Sequence, residues 1–452
     1  MKVSEILKAT NGILLSGNTN DKIDNFSIDS RKITKDEMFI AIKGDKFDGN
    51  DFVLDVLNKD SFGVIFDSDI NIDLNKYNKK IIIKVKNSLD SLQSLAAYKR
   101  SLYNIPVVAI TGSVGKTSTK DIIASVMKEK YNVLKTEGNL NNHIGLPLTL
   151  LKLKDHTAMC IEMGMNHFKE ISLLTNILKP TIAVITNIGT AHIGNLGSRE
   201  NILKAKLEIL EGLNEEKNVI INNDNDLLHK WYIENKIYNV TTYGIKTDSN
   251  YMAYDINYDL NSSNYKIKLD DKIYECTVLV PGEHFVLNSL CAIAVGKKLN
   301  INNNSIIKGI KEFELSKNRM EYINLKNDVT LISDCYNANY DSMKSSIETL
   351  GKNKRRKVAV LGDMLELGKY SKDLHSKIGK VLNDNNIDVL IAVGEESEYI
   401  YNNTDIKCKY KCKDNDEAID KLRKLITPGD IVLVKASNGM NFNEIVNNLK
   451  KI

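Results

Sequence analysis

The sequence predicts an α/β chain of three units, on three observations. A short apolar strand at 106–110 runs straight into a glycine-rich loop and then into a helix. Strand and helix patterns alternate from there to about residue 234, which implies a parallel sheet covered by helices. A second alternating series starts near Lys317 and continues to a helix at 441–450. At 452 residues the chain is long for one domain and comfortable for three. The units are read as 1–84, 85–314 and 315–452.

In the first unit, strands are expected at Met38–Ile42, Val64–Phe66 and Ile81–Val85, with a helix over Asp51–Asn58. A polar helix, Ser88–Leu102, leads to Ile105-Pro106, where the residue before proline favours extended chain and opens the next unit. The middle unit then pairs strand 106–110 with helix 116–129 and strand 157–162 with helix 168–178. Strand 181–186 precedes helix 199–213, and strand 218–222 precedes helix 224–234. Between Tyr251 and Val280 the apolar period changes to two, as in Tyr265, Ile267 and Leu269, which indicates an antiparallel patch. Helices 284–298 and 304–313 close the unit. In the third unit, strands 329–333, 357–361, 388–393 and 431–435 are separated by helices near 341–351, 371–383 and 415–425.

The most informative stretch is T-G-S-V-G-K-T-S at 111–118. Gly112 and Gly115 allow a tight turn whose N–H groups face inward at an anion, and the following helix adds its positive N-terminus. Ser113 and Ser118 belong to the same loop. Lys116 can reach terminal phosphates, and the Thr117 hydroxyl suits a Mg²⁺ that bridges them. The longer signature G-x-x-x-x-G-K-[ST] is not fully met, because Ile110 occupies its first glycine position. A nucleoside-triphosphate site is expected; the alternative is a plain glycine turn between strand and helix.

A phosphate loop needs an acid near its metal, usually at the end of a neighbouring strand. Glu162 ends the run Ala158-Met159-Cys160-Ile161, which places it there; the alternative is a surface carboxylate at a turn. Asn187 and His192, in T-N-I-G-T-A-H, follow strand 181–186 by the same logic, and the pattern leaves His192 open between a structural and a catalytic role. On helix 199–213, Ile202, Leu203, Ile209, Leu210 and Leu213 mark the buried side. Lys204, Lys206 and Glu208 read as solvated charges. Two acid-rich loops, 334–339 and 362–368, follow strands of the last unit where an open α/β sheet binds ligand. Either is also compatible with capping and turn chemistry.

Composition narrows the class. Apolar residues are 42% and charged residues 27% of the chain, ordinary for a soluble globular protein. A net charge of +4 demands neither nucleic acid nor an anionic membrane as partner. No stretch approaches the ~18 apolar residues of a membrane span, and Lys2, Glu5 and Lys8 interrupt any early apolar run, so no membrane insertion is expected. Among six cysteines, Cys160, Cys276 and Cys291 sit in apolar segments like small core residues. Cys408 and Cys412 share a predicted strand with no second pair to complete a zinc site. A cytoplasmic location is expected.

These residues together resemble the Mur ligase family, over all three units. Asp29-Ser30-Arg31 and K-G-D-K-F-D-G-N-D-F at 43–52 look like the family's uridine-nucleotide domain. The family's phosphate loop has the short form T-G-x-x-G-K-T, so Ile110 ceases to be an anomaly. G-N-L-N-N-H-I-G-L-P at 138–147, E-M-G-M-N-H at 162–167, A-K-L-E-I-L at 205–210 and P-G-E-H-F-V-L-N at 281–288 are similar to its central motifs. D-C-Y-N-A-N at 334–339 with L-G-D-M-L-E-L-G at 361–368 is the most specific likeness, to those members that add a dipeptide.

The resemblance implies a small N-terminal α/β domain, a central P-loop mononucleotide-binding sheet with helices on both faces, and a C-terminal Rossmann-like domain. It implies ATP and two Mg²⁺ ions. Lys116 and Thr117 would hold phosphates and metal, and Glu162 the same metal. His192 and a carbamylated Lys206 would serve the second ion. Asn288 would contact adenine, Arg319 the phosphates and Asp334 the ribose. Ser30 and Arg31 would lie at the uridine end, Asn141 and Asn142 near the muramoyl-peptide, and Tyr336 and Asn337 on the substrate side of the last domain. The implied reaction joins D-alanyl-D-alanine to UDP-N-acetylmuramoyl-tripeptide through an acyl phosphate, in a monomer.

Four positions depart from the family pattern: Ser333 replaces an aspartate, Tyr340 a proline, and Ala436 and Asn438 a glycine and a basic residue. They cluster in the unit expected to present the dipeptide, which leaves a D-Ser or D-lactate ending open. The competing readings are a sister ligase, such as a folate polyglutamylating enzyme, and a nucleotide-driven switch that hydrolyses ATP without joining substrates.

Overall fold

Five consecutive buried residues, Val107–Thr111, form the strand that feeds the phosphate loop. Strands this apolar on both faces belong inside a parallel sheet. In the computed structural model, which describes residues 1–44, 46–259 and 261–451, that strand lies inside a nine-stranded sheet. The sheet runs 133–135, 158–162, 107–111, 182–185, 218–222, 239–244, 251–258, 263–269, 272–278. Its first seven strands pair in parallel and its last two antiparallel, as the period-two patterning of 251–280 requires. The chain leaves Val107–Thr111 toward one edge and later returns to its other side. That strand therefore marks a topological switch point, where the carboxyl ends open a ligand crevice.

Helix Lys116–Lys128 packs against helices Glu283–Lys298 and Asn303–Lys311. It buries Ile122, Ile123, Val126 and Met127, each contributing about 1.5–3 kcal/mol by removal of apolar area from water. The N-terminal five-stranded sheet has the order 13–16, 81–84, 63–66, 37–40, 25–27, with only the first pair antiparallel. The C-terminal six-stranded sheet has the order 321–324, 330–333, 431–435, 357–362, 389–393, 408–412, again with one antiparallel edge. One apolar core runs continuously from the central sheet into Ile332, Met343, Ile347 and Leu350 of the last unit. No helix among the described residues is long and apolar enough to cross a membrane.

Several short elements escape the sequence reading. Helix Val3–Thr10, helix Gly145–Leu151 and strands Ile13–Ser16, Asn25–Ser27, Val133–Lys135, Asn239–Gly244 and Glu321–Asn324 were not expected. Those strands are three to six residues long and mostly lie at sheet edges, where half-exposed positions blur the apolar period. The helix expected over 199–213 is an α-helix only over Arg199–Leu207 and then tightens to a 3-10 turn over Glu208–Gly212. Ile202, Ala205, Lys206 and Ile209 share one buried face at α-helical spacing. Lys206 and Glu208 are buried rather than solvated, and only Lys204 stays exposed. Glu208 accepts hydrogen bonds from Lys169 N and Ser172 N, so it caps helix Glu170–Leu178. Within the motif at 43–52, Asp45 lies outside the described residues.

Candidate active site

Gly115 has φ of 79° and stands immediately before helix Lys116–Lys128, a left-handed position that glycine takes without a Cβ penalty. A Cβ on Gly112 would run into the Thr186 hydroxyl. The front of the loop is fastened by the end of the adjacent strand. Ser113 N and Val114 N both donate to Asn187 Oδ1, at 3.1 and 3.0 Å, and Gly189 N donates to Ser113 Oγ at 2.9 Å. Lys116 folds back so that Nζ donates to Gly112 O at 2.8 Å. Burial lowers the Lys116 ammonium below its ordinary pKa; Glu162 opposes that shift and Arg319 adds to it.

Behind the loop, three elements converge on one hydroxyl. Thr117 Oγ1 donates to Glu162 Oε2 at 2.9 Å, and Arg319 Nη2 donates to the same hydroxyl at 3.1 Å. Asn141 Nδ2 holds the other Glu162 oxygen at 2.8 Å. Glu162 is 2% exposed, yet it borders a cavity of about 300 Å³ together with Lys116, Thr117, Asn141, His192 and Tyr336. No group of three His, Cys, Asp or Glu side chains poised for a metal occurs among the described residues. One buried carboxylate beside one hydroxyl fits Mg²⁺, which keeps several waters and takes phosphate oxygens rather than a full protein cage.

On the other side of the loop a second cavity, about 110 Å³, lies between the central and C-terminal sheets. Gly115, Ser118, Asn187, Asn288, Arg319 and Asp334 are among the residues lining it. Asn288 Oδ1 accepts from Thr119 Oγ1 at 2.9 Å, but its Nδ2 is buried without a partner, as is Arg319 Nε. Orphaned buried donors are costly unless a ligand satisfies them, so both fit an anionic, acceptor-rich guest such as a nucleotide. The Arg319 guanidinium stacks on Tyr336, 3.8 Å from the ring centroid. Asp334 is held by Lys435 Nζ at 2.6 Å and Ser346 Oγ at 2.7 Å.

His284 lines the same cavity, with Nδ1 2.9 Å from Ser345 Oγ. Burial pushes its imidazole down to about 4. Between the unfolded value of about 6.5 and that folded value, the unfolded chain binds a proton that the folded protein refuses. Stability should therefore fall as pH drops from about 6.5 toward 4. Thermal midpoints at pH 7 and pH 5 check this: the wild type should lose more than His284→Gln. An equal loss in both would mean that this imidazole does not cause it.

The chain is similar to known proteins in all three of its units. Residues 22–100 match the Mur ligase family catalytic domain, 110–296 the Mur ligase middle domain and 318–438 the Mur ligase glutamate ligase domain. The UDP-N-acetylmuramoyl-tripeptide–D-alanyl-D-alanine ligase of Bacillus subtilis is 35% identical, over 94% of this chain and 93% of its own length. The chain belongs to the Mur ligase family. Among solved structures, MurF of Acinetobacter baumannii superposes with a TM-score of 0.92 at 28% identity, covering 100% of this chain and 99% of its own. The Thermotoga maritima MurF ligase in complex with ADP superposes with a TM-score of 0.84 at 28% identity, covering 95% and 97%.

Other candidate residues fall around this Mur ligase centre in different ways. His192 borders the larger cavity, with φ of 62° and Nδ1 2.9 Å from Glu366 Oε2 of the C-terminal unit, off the line of a hydrogen bond. That contact lowers the Glu366 carboxyl. Lys206 is 1% exposed and lines neither cavity. Burial, with the like charge of Lys116, holds its amine well below the ordinary value. Among the described residues it has no acidic partner within ion-pair distance. Asn142 Oδ1 accepts from Ile144 N and Gly145 N, so part of its role is to cap helix Gly145–Leu151. Asn337 Oδ1 accepts from Ala338 N, and its carbonyl accepts from Lys435 Nζ.

Ser30 and Arg31 lie in the N-terminal unit, outside both cavities. Arg31 grips Asp29 through two bonds of 2.9 and 3.0 Å, holding that carboxyl at about 2. Of the four departures from the family pattern, none lines either cavity. Tyr340 is the first residue of helix Tyr340–Gly351, the position where proline would pre-set φ. Here a capping box between Asn339 and Ser342 starts the helix instead. Sequence reasoning missed Asp341, Ser346 and His284; the first two carried no signal apart from their place beside the 334–339 motif.

Proposed function

We propose that this chain is an ATP-dependent ligase of peptidoglycan precursor synthesis. It joins D-alanyl-D-alanine to UDP-N-acetylmuramoyl-tripeptide and releases ADP and phosphate. The observation that carries this reading is a pair of cavities meeting at one phosphate loop. One offers the unpartnered donors of Asn288 and Arg319, and the other a buried Glu162 carboxylate on Thr117. The full-length likeness to the Bacillus subtilis ligase supports the substrates.

In this reading ATP lies with its adenine toward Asn288, its ribose toward Asp334 and its phosphates in the 112–118 loop. Thr117 and Glu162 would hold Mg²⁺, which when bound neutralises charge developing on the phosphates. His192 and a carbamylated Lys206 would serve a second ion; a neutral buried amine is the form that takes up CO₂. The tripeptide carboxylate attacks the γ-phosphate, the bond to the β–γ bridging oxygen breaks so that ADP leaves, and the carboxyl carbon is carried as an acyl phosphate. The neutral amine of the dipeptide attacks that carbon, and phosphate leaves. Lys116 and Arg319 stabilise the anionic oxygens that both steps crowd together. Closure of the C-terminal unit positions the amine and excludes water from the acyl phosphate. Ser30 and Arg31 would bind the uridine end, Asn141 and Asn142 the muramoyl-peptide, and Tyr336 and Asn337 the dipeptide side. The protein would act in the cytoplasm as a monomer.

Phosphate release from ATP and Mg²⁺, with each substrate omitted in turn, tests this. Release should require both substrates and yield a product heavier by the dipeptide. Release without D-alanyl-D-alanine would point to another amine or to a switch, and no release at all would refute the ligase.

A further inference from the structure

The loop that fastens the phosphate loop is itself held from the C-terminal unit. After strand Ile182–Ile185, residues 186–190 grip the front of the phosphate loop through Asn187 Oδ1 and Gly189 N. Thr190, at the far end of this segment, donates from its N–H at 2.7 Å and from its hydroxyl at 2.8 Å to one oxygen, Oδ2 of Asp341. Asp341 belongs to the first turn of helix Tyr340–Gly351, across the domain boundary, where the helix N-terminus favours its charge. A Cβ on Gly189 would collide with this carboxylate, so the close approach requires glycine next to the residue that donates.

We propose that Asp341 is a positioning residue that couples docking of the C-terminal unit to the shape of the phosphate loop. The inference rests on the ligase reading above, and it goes beyond general domain closure by naming the connection. The route is Asp341 to Thr190, through the backbone to Gly189 and Asn187, and from those to Ser113 and Val114. A rival arrangement would make Asp341 redundant. Arg199 Nη2 and Asn225 Nδ2 already hold Ile188 O at 2.8 and 3.1 Å from within the central unit. Those bonds fix only the middle of the segment. The N–H and hydroxyl of Thr190 both turn to the C-terminal unit, while its carbonyl accepts from Ile193 N, so both of its donors are satisfied by the docked C-terminal unit. A phosphate loop tuned in this way is completed when the amine-presenting unit is in place, which limits wasteful hydrolysis of the acyl phosphate.

Asp341→Ala, Thr190→Val and the double variant test the coupling in the full-length protein. Losing a charge-assisted bond pair should lower kcat by roughly tenfold to a hundredfold, with KM for ATP changed less than about threefold. Phosphate released per amide formed should rise above one, a readout that a merely structural role would not move. The double variant should be no worse than Asp341→Ala, and Asp341→Asn, which keeps an acceptor oxygen, should recover part of the loss. Additive losses or unchanged stoichiometry would overturn the proposal. Amide hydrogen exchange separates it from the ligase reading. Exchange should quicken in Asp341→Ala at Gly189, Thr190 and also at Ser113 and Val114, which Asp341 does not touch. Exchange that quickens at Thr190 alone refutes the coupling, even in an active ligase. Quickened exchange at 113–114 in a protein that ligates nothing would keep the coupling and discard the substrates.

Discussion

Replacing Lys116 with alanine is expected to lower ATP-dependent amide formation by at least about 10²–10³-fold, the cost of removing one preorganised charge from a developing oxyanion. The lysine is the first residue of helix Lys116–Lys128 and donates to Gly112 O, so it sits folded inside the loop that would receive the phosphates. A guest phosphate offers Nζ a charged acceptor in place of a carbonyl. Burial lowers the ammonium's pKa, with Glu162 opposing; an added anion favours the charged form further. Alanine is a good helix former at this position, and the Gly112 carbonyl loses only one neutral partner. The thermal midpoint should therefore move by a few degrees at most, while steady-state turnover collapses. Near-normal turnover in this variant would remove Lys116 from the site. A large fall in the midpoint would mean that lost packing, not lost charge, explains any inactivity.

The parts of this site that a reader of the sequence can see are those written as local pattern. A strand, two glycines, a lysine and a threonine announce the phosphate loop because one turn of backbone makes it. Glu162 is legible because an apolar run ends on it, and the sheet indeed sets it 2.9 Å from Thr117. The same kind of reasoning goes wrong at Lys206 and Glu208. Lys206 lies four residues after Ile202 and three before Ile209, on the buried face of the α-helix itself, and Glu208 begins the 3-10 turn Glu208–Gly212 that ends the α-helical period. The short edge strands at 13–16, 25–27 and 321–324 are hidden for a different reason, since their faces are half wet and carry no clean alternation. What pattern cannot reach at all is partnership across the domain boundary. Arg319 on Thr117, Asp341 on Thr190 and Glu366 beside His192 join residues more than 150 positions apart. Each becomes visible only when the C-terminal sheet is docked on the central one.

Lys206→Ala is expected to lose most activity and to regain part of it with a short carboxylate such as formate or acetate. The argument starts from burial. Lys206 is 1% exposed, and among the described residues no acid stands within ion-pair distance of it. Keeping a bare ammonium there would cost several kcal/mol, and burial with the neighbouring Lys116 holds the amine well below its ordinary pKa. A lysine buried without an acidic partner is poorly explained as packing, because leucine or methionine would fill the space without an amine to desolvate. Carbamylation, as proposed above, would resolve this, since it would convert the amine into an anion that offsets Lys116 and could offer oxygen ligands to a metal. In the alanine variant the space left behind is open to a small carboxylate, which restores the charge without the tether. Protein equilibrated with ¹³C-bicarbonate should show a carbamate signal that disappears in Lys206→Ala. Full activity of the variant without any added acid would remove the carbamate from the mechanism. Inactivity with a retained thermal midpoint, no ¹³C signal in the wild type and no rescue would leave Lys206 acting as a neutral amine.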